Sequence, residues 1–368
     1  MPDKTTEDEI CREFQAKKGE LEDFREKTVE IIEGILRAES IVVHSVGGRV
    51  KSEKKLLDKY KREDKDYRKL DDIKDQVGIR IITYYEDQVD PVSEIISREF
   101  QIIPGHSVDR RNQDPDRFGY QSVHHVCTHS TQRLALREYR QLAGIDFELQ
   151  IRSILQHAWA EMEHDAYDRG SVPRDLRRRF SRLAGLLELA DSEFIELRKK
   201  KTEYENSVAL RVNVSVPDIS DVQVNEISIK AFVEQDPLVK DLDKQIATLL
   251  KKPLAEQAMQ DSIRTITKGV EAAGLDTLQD IRSALSKNQK ATVNFAVAWI
   301  DFRSRWSSPL TSEMAPGYCL AQLTLLLVAG KGTDEVKRFS DILGRMIVPE
   351  DQISDLVNLA ISILEPSS

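Results

Sequence analysis

Residues 147–165, FELQIRSILQHAWAEMEHD, change their period halfway. Phe147, Leu149 and Ile151 alternate with Glu148, Gln150 and Arg152, the two-residue repeat of a strand with one apolar face. The second half has helical spacing and carries His157, Trp159, Glu161, Glu163 and His164. The pattern therefore predicts a strand that runs directly into a helix, with an acid, an amide and a guanidinium on one strand face.

The same reading extends along the chain. Residues 8–40 are charged with scattered apolar positions (Phe14, Leu21, Phe24, Ile31, Ile35) and predict a helix. SIVVHSVGGRVKS predicts a strand bent at its Gly pair, and EKKLLDKYKREDKDYRKL a second helix. DQVGIRIITYYED is the best strand pattern, and PVSEIISREF a helix with Pro91 in its first turn. A polar loop, PGHSVDRRNQDPDR, leads to a strand in YQSVHHVCTH. From the Glu148 strand to about residue 208 everything reads as helix, with Leu176, Phe180, Leu183 and Leu187 as its stripe and Arg177, Arg178, Arg179 and Arg182 outside it.

NVSVPDISDVQVNE, poor in helix formers, marks a linker at 213–226. It separates an α+β region, 1–212, from an all-α region, 227–368, where Pro237 and Thr333 start helices and Gly274 stops one. Apolar stripes in the second half (Leu238, Leu242, Ile246, Leu249; Ile353, Leu356, Val357, Leu364) predict packing, within the chain or against a second copy in a homo-oligomer. They carry no evident chemistry.

Length and composition add bounds. The chain has 368 residues, enough for two cores, and its charged fraction of 32% is that of an ordinary soluble protein. No uncharged apolar run reaches membrane-spanning length, and the acidic N-terminus is unlike a secretory signal. Cys11, Cys127 and Cys319 form no paired motif, so the expected setting is a reducing cytoplasm. A net charge of −9 gives no global pull toward nucleic acid, so basic clusters count only locally.

Arg49 and Lys51 share one strand face, and Lys55 and Lys59 lie a turn apart on the helix that follows. Read alone, this is a solvated basic face; at a strand-to-helix junction it also suits a polyphosphate. Asp75, at the mouth of the best strand, reads either as a turn residue or, with Glu148, as half of a divalent-metal site. Tyr120, Ser122 and His124 alternate onto one strand face, where the ring offers a stacking surface. His124, His125 and His129 lack the companion ligands of a zinc site, and no Walker loop, GxGxxG or HExxH is present.

GRVKSEKKLLDK, DQVGIRII, FGYQSVHH and ELQIRSILQHAWAEMEHD, in this order, closely resemble the synthetase domain of RelA/SpoT-type alarmone synthetases, over residues 40–200. The resemblance implies a nucleotidyltransferase-like mixed sheet flanked by helices, and transfer of the β,γ-pyrophosphate of ATP to the 3′-hydroxyl of GDP or GTP with Mg²⁺. It assigns the ATP phosphates to Arg49, Lys51 and Lys59, and Mg²⁺ to Asp75 and Glu148. Glu148 would also activate the hydroxyl. Tyr120 would stack on the acceptor base with His124 and Arg117 beside it, while Gln150, Arg152, His157 and Glu161 support the site.

Where many relatives read Pro-Lys-x-Asn-Gly-Tyr, this chain has Asp116 and Phe118 in place of the Lys and Asn. That departure keeps open a toxic branch of the family that modifies the 3′ end of tRNA. Arg110, Arg111, Arg174, Arg177–Arg179 and Lys199–Lys201 would then guide the RNA backbone. A third reading is a nucleotide-binding regulator without catalysis.

Overall fold

The computed structural model describes residues 7–61, 67–105, 108–109, 122–166, 174–213, 218–255, 259–306, 312–344 and 346–365. By packing the chain divides into two compact units, Met1–Arg198 and Lys199–Ser368.

In the first unit the described residues form a six-stranded sheet: β1 (Ser45–Val50), β2 (Val77–Thr83), β3 (Phe100–Ile102), β4 (Val108–Asp109), β5 (Val123–His129) and β6 (Phe147–Ser153). The order is β1-β2-β6-β5-β3, with β4 also on β5; β2 and β6 are parallel and the other pairs antiparallel. The register makes the two sheet faces unlike. Val77, Ile79 and Ile81 lie beside Phe147, Leu149 and Ile151, and all are buried. Against this face pack α1 (Glu7–Ala38), through Ile10, Phe14, Leu21, Phe24, Ile32 and Leu36, and α3 (Val89–Glu99), through Val92 and Ile96. Acids in the first turn of α1 and Arg37 in its last complement the helix dipole. On the other face, Gly78 pairs with Glu148 and Arg80 with Gln150.

The Gly47-Gly48 pair does not bend the chain. Both residues keep antiparallel register with β2, opposite Arg80 and Ile79. What they provide is room: a Cβ on Gly48 would lie 2.8 Å from Cγ of Arg25 and 3.3 Å from Cγ2 of Val29, both on α1. The following helix is shorter than its sequence pattern, ending as α2 (Glu53–Tyr60). Residues 62–66 lie outside the described part, and a 3-10 turn at Leu70–Asp72 leads into β2. Between β5 and β6 lie α4 (Thr131–Leu134) and a 3-10 segment, Arg137–Leu142, which the sequence pattern did not separate.

The change of period at Ser153 has a local cause. Its N–H donates to Oε1 of Gln156 (2.9 Å), while its Oγ accepts from the Gln156 N–H (3.1 Å). This reciprocal cap opens α5 (Ile154–Ala166) directly off β6. Ser153 Oγ also donates to Asp191 (2.7 Å) on α6 (Arg174–Val212), which anchors that helix. The expected α6 stripe is displaced. Leu176 and Leu183 are 43% and 49% exposed, and the buried positions of α6 within the first unit are Ala184 and Asp191, the residue that bonds Ser153.

The second unit is all helical: α7 (Glu226–Gln235), α8 (Pro237–Leu250), α9 (Met259–Ala273), α10 (Leu278–Lys287), α11 (Gln289–Arg303), α12 (Tyr318–Ala329), α13 (Thr333–Leu343) and α14 (Ile353–Leu364). Pro237 and Thr333 do open helices, and Gly274, at φ +79°, follows the end of α9. The last turns of α6 belong to this unit, with Val208 and Val212 in its core. The central α12 is buried nearly all round. No described helix is long and apolar enough to cross a membrane.

Candidate active site

The polar face of the sheet opens into a cleft of about 340 Å³ lined by Arg49, Lys51, Asp75, Arg80, Glu148, Gln150 and His157. Its floor is glycine. Gly47 and Gly78 have nothing within 4 Å of where a Cβ would stand, so their strands leave the space above them open.

Two carboxylates from distant parts of the chain thus share one cleft with several cations. Oδ2 of Asp75 accepts from Nζ of Lys51 (2.5 Å) and of Lys59 (2.6 Å). Its Oδ1 is buried with no hydrogen-bond partner among the described residues. Burial alone would raise the Asp75 carboxyl, but the two ammonium groups outweigh it and hold it below the usual range. Burial of Lys51 wins over the attraction of Asp75 and lowers its pKa.

Glu148 is held through both oxygens. Oε1 is 3.0 Å from Nδ1 of His124, and Oε2 accepts from Nε2 of Gln150 (2.9 Å). Despite burial, which pushes the other way, His124, Gln150 and the charge of Lys51 hold it at about 2. An ionised carboxylate can only accept, so the proton of the imidazole is on Nδ1. Nε2 on the other side of the ring is 2.6 Å from the Ser122 hydroxyl, which fixes the imidazole between the two residues.

At the rim, Oε1 of Glu161 accepts from Arg80 (2.8 Å), with Arg152 at 3.6 Å and His157 at 3.9 Å. Arg152 is only 4% exposed and does not line the cleft; burial and the nearby Arg80 lower it to about 10. Burial and Arg152 likewise depress His157.

Among the expected site residues, Arg49, Lys51, Asp75, Glu148, Gln150 and His157 line the cleft. Lys59, His124 and Arg152 stand behind it and Glu161 at its rim, each within ion-pairing distance of a lining residue or of another of this group. Tyr120 and Arg117, with Asp116 and Phe118, lie outside the described residues. Arg80 was missed as a lining residue, although its alternation with Gly78 was the signal. The other histidines part company: His125 bonds Ser93 on α3, and His129 is buried against Phe24, Phe100 and Phe147 and bonds Thr28.

Residues 48–170, which include β2 to β6 and the end of β1, match the family model described as the region found in RelA/SpoT proteins. One curated relative is the GTP pyrophosphokinase YjbM of Bacillus subtilis (strain 168), 24% identical over 165 residues, covering 44% of this chain and 74% of that protein. Among solved structures, small alarmone synthetase 1 from Bacillus subtilis is 23% identical with a TM-score of 0.43, covering 52% of this chain and 98% of that one. A GTP pyrophosphokinase family protein from Streptococcus pneumoniae is 23% identical with a TM-score of 0.40, covering 52% and 94%.

Proposed function

We propose that this chain is a pyrophosphotransferase of the RelA/SpoT type, moving the β,γ-pyrophosphate of ATP to the ribose 3′-hydroxyl of GDP or GTP. The observation that carries the reading is the shared cleft of Asp75 and Glu148, faced by Arg49, Lys51 and Arg80.

In-line displacement at phosphorus builds charge on equatorial and bridging oxygens, and fixed cations stabilise it most when they are already in place. Arg49 and Arg80 supply guanidinium forks on neighbouring strands. Lys51 and Lys59 are bound to Asp75. Arriving phosphates compete for both ammonium groups and release the carboxylate oxygen they hold.

Asp75, with one oxygen already unpaired, and Glu148 offer hard oxygen donors in one cleft. That set fits Mg²⁺, which takes few carboxylates and completes its shell with substrate phosphates and water. Bound there, the ion would neutralise phosphate charge. His124 and Gln150 orient Glu148, so that its ionised oxygen can accept the proton of the ribose hydroxyl. A carboxylate at about 2 is a weak base, so what Glu148 contributes is a fixed, charged acceptor more than basicity. Tyr120 is assigned the acceptor base, with Arg117 near its phosphates.

The test is to incubate the protein with γ-labelled ATP, Mg²⁺ and either GDP, GTP or bulk tRNA. Label in a guanosine nucleotide supports the reading. Label in tRNA keeps the transfer but changes the acceptor, as Asp116 and Phe118 allow, and no transfer to any acceptor overturns it.

A further inference from the structure

The second unit contains a cavity of about 570 Å³ between α9, α11, α12 and α13. Its volume falls within the range of small-molecule sites, roughly 300–1,000 Å³. Gln322 lines it and is 4% exposed, yet its Oε1 accepts no hydrogen bond among the described residues. One turn earlier on α12, the buried hydroxyl of Tyr318 is likewise without a partner among the described residues. Buried polar atoms are nearly always paired, so two orphans on one helix face of one cavity point to an absent partner.

The remaining lining defines that partner. Arg303 brings a guanidinium to the cavity, and its charge reaches the Tyr318 hydroxyl, which burial nonetheless pushes up to about 12. Trp299 and Phe339 supply flat apolar wall. The polar groups are also fixed in place. The buried carboxylate of Asp243 accepts from the N–H of Gly317 (2.6 Å) and of Cys319 (2.8 Å), on either side of Tyr318. The start of α12 is therefore already satisfied by the chain's own anion, and the cation offered to a ligand is Arg303.

We propose that this cavity binds a planar aromatic or heteroaromatic anion that carries a hydrogen-bond donor. The ring packs on Trp299 and Phe339, the donor reaches Oε1 of Gln322, and the anionic group pairs with Arg303. The site shares no residue with the sheet cleft, and the proposal stands whether or not that cleft transfers pyrophosphate.

The probe is 1-anilinonaphthalene-8-sulfonate, which combines an aromatic body, a secondary amine N–H and a sulfonate. Titrated into the full chain, it should bind saturably with about one site. Arg303→Gln and Gln322→Leu should each weaken it by about tenfold, the scale of one lost hydrogen bond. Ala321→Trp, which fills the cavity, should abolish binding, and the uncharged N-phenyl-1-naphthylamine should bind much more weakly. Circular dichroism checks that each variant folds, and Arg303→Gln keeps the test alive if Ala321→Trp does not. Non-saturable binding, or equal binding by the variants or by the uncharged analogue, overturns the proposal.

Discussion

At the scale of single residues, the chemistry turns on what holds Glu148. His124, Gln150 and Lys51 together offset its burial and keep it charged. Glu148→Gln preserves shape and removes charge, so transfer should fall by about 10²- to 10⁴-fold, the usual worth of a positioned base. Melting temperature should move by only a few degrees; an activity within a few-fold of wild type would remove Glu148 from the mechanism. His129 provides a pH-dependent counterpart outside the cleft. Burial lowers it from 6.5 to about 4, so between those values the unfolded chain binds more protons and stability falls as pH drops. His129→Leu removes that dependence. The stability gap between wild type and variant should shrink from pH 7 to pH 4, as read by urea denaturation, and a constant gap contradicts the assignment.

At the scale of elements, the two neighbouring glycines of β1 have opposite duties. Gly48 faces α1, where an added Cβ meets Arg25 and Val29, so Gly48→Val should destabilise the first unit by about 1–3 kcal/mol through overpacking. Gly47 faces open cleft, where a β-branched residue suits the strand but fills the floor. Gly47→Val should therefore leave stability nearly unchanged and weaken ATP binding, measured by calorimetry. Swapped outcomes for the two positions would reverse the assigned faces. The strand-to-helix switch at Ser153 was legible because the period changes there. The role of Asp191 in fixing α6 was not, since nothing in a helical repeat of leucines shows which face a partner atom will claim.

At the scale of the whole molecule, two features yield measurements. Trp159 belongs to the first unit, Trp299 and Trp306 to the second, and each unit has its own core. Gly317, at φ +82°, leaves no room for a Cβ, which would lie 2.7 Å from Ile266. Gly317→Ala should shift the unfolding transition reported by Trp299 and Trp306 while sparing that of Trp159; identical shifts in both probes would mean that the units unfold as one. The second feature is charge. The chain carries −9 overall, yet the cleft presents Arg49, Lys51 and Arg80. Local cations attract ATP over a distance that salt shortens, with a Debye length of about 10 Å at 0.1 M and 3 Å at 1 M. KM for ATP should rise several-fold over that range while kcat changes little.

The sequence by itself determined which residues alternate and which motifs are present. Strand alternation is a local property, and it already separated Glu148, Gln150 and Arg152 from the apolar face of their strand. It could not decide whether Asp75 would meet Glu148. Their meeting depends on the parallel pairing of β2 with β6, which sets Gly78 beside Glu148 and leaves the intervening space empty. Nor could local pattern show the cavity of the second unit, where Tyr318 and Gln322 look like any polar residues on a helix. A hydrogen bond left unmade becomes visible only when packing has excluded water and every neighbouring donor is accounted for.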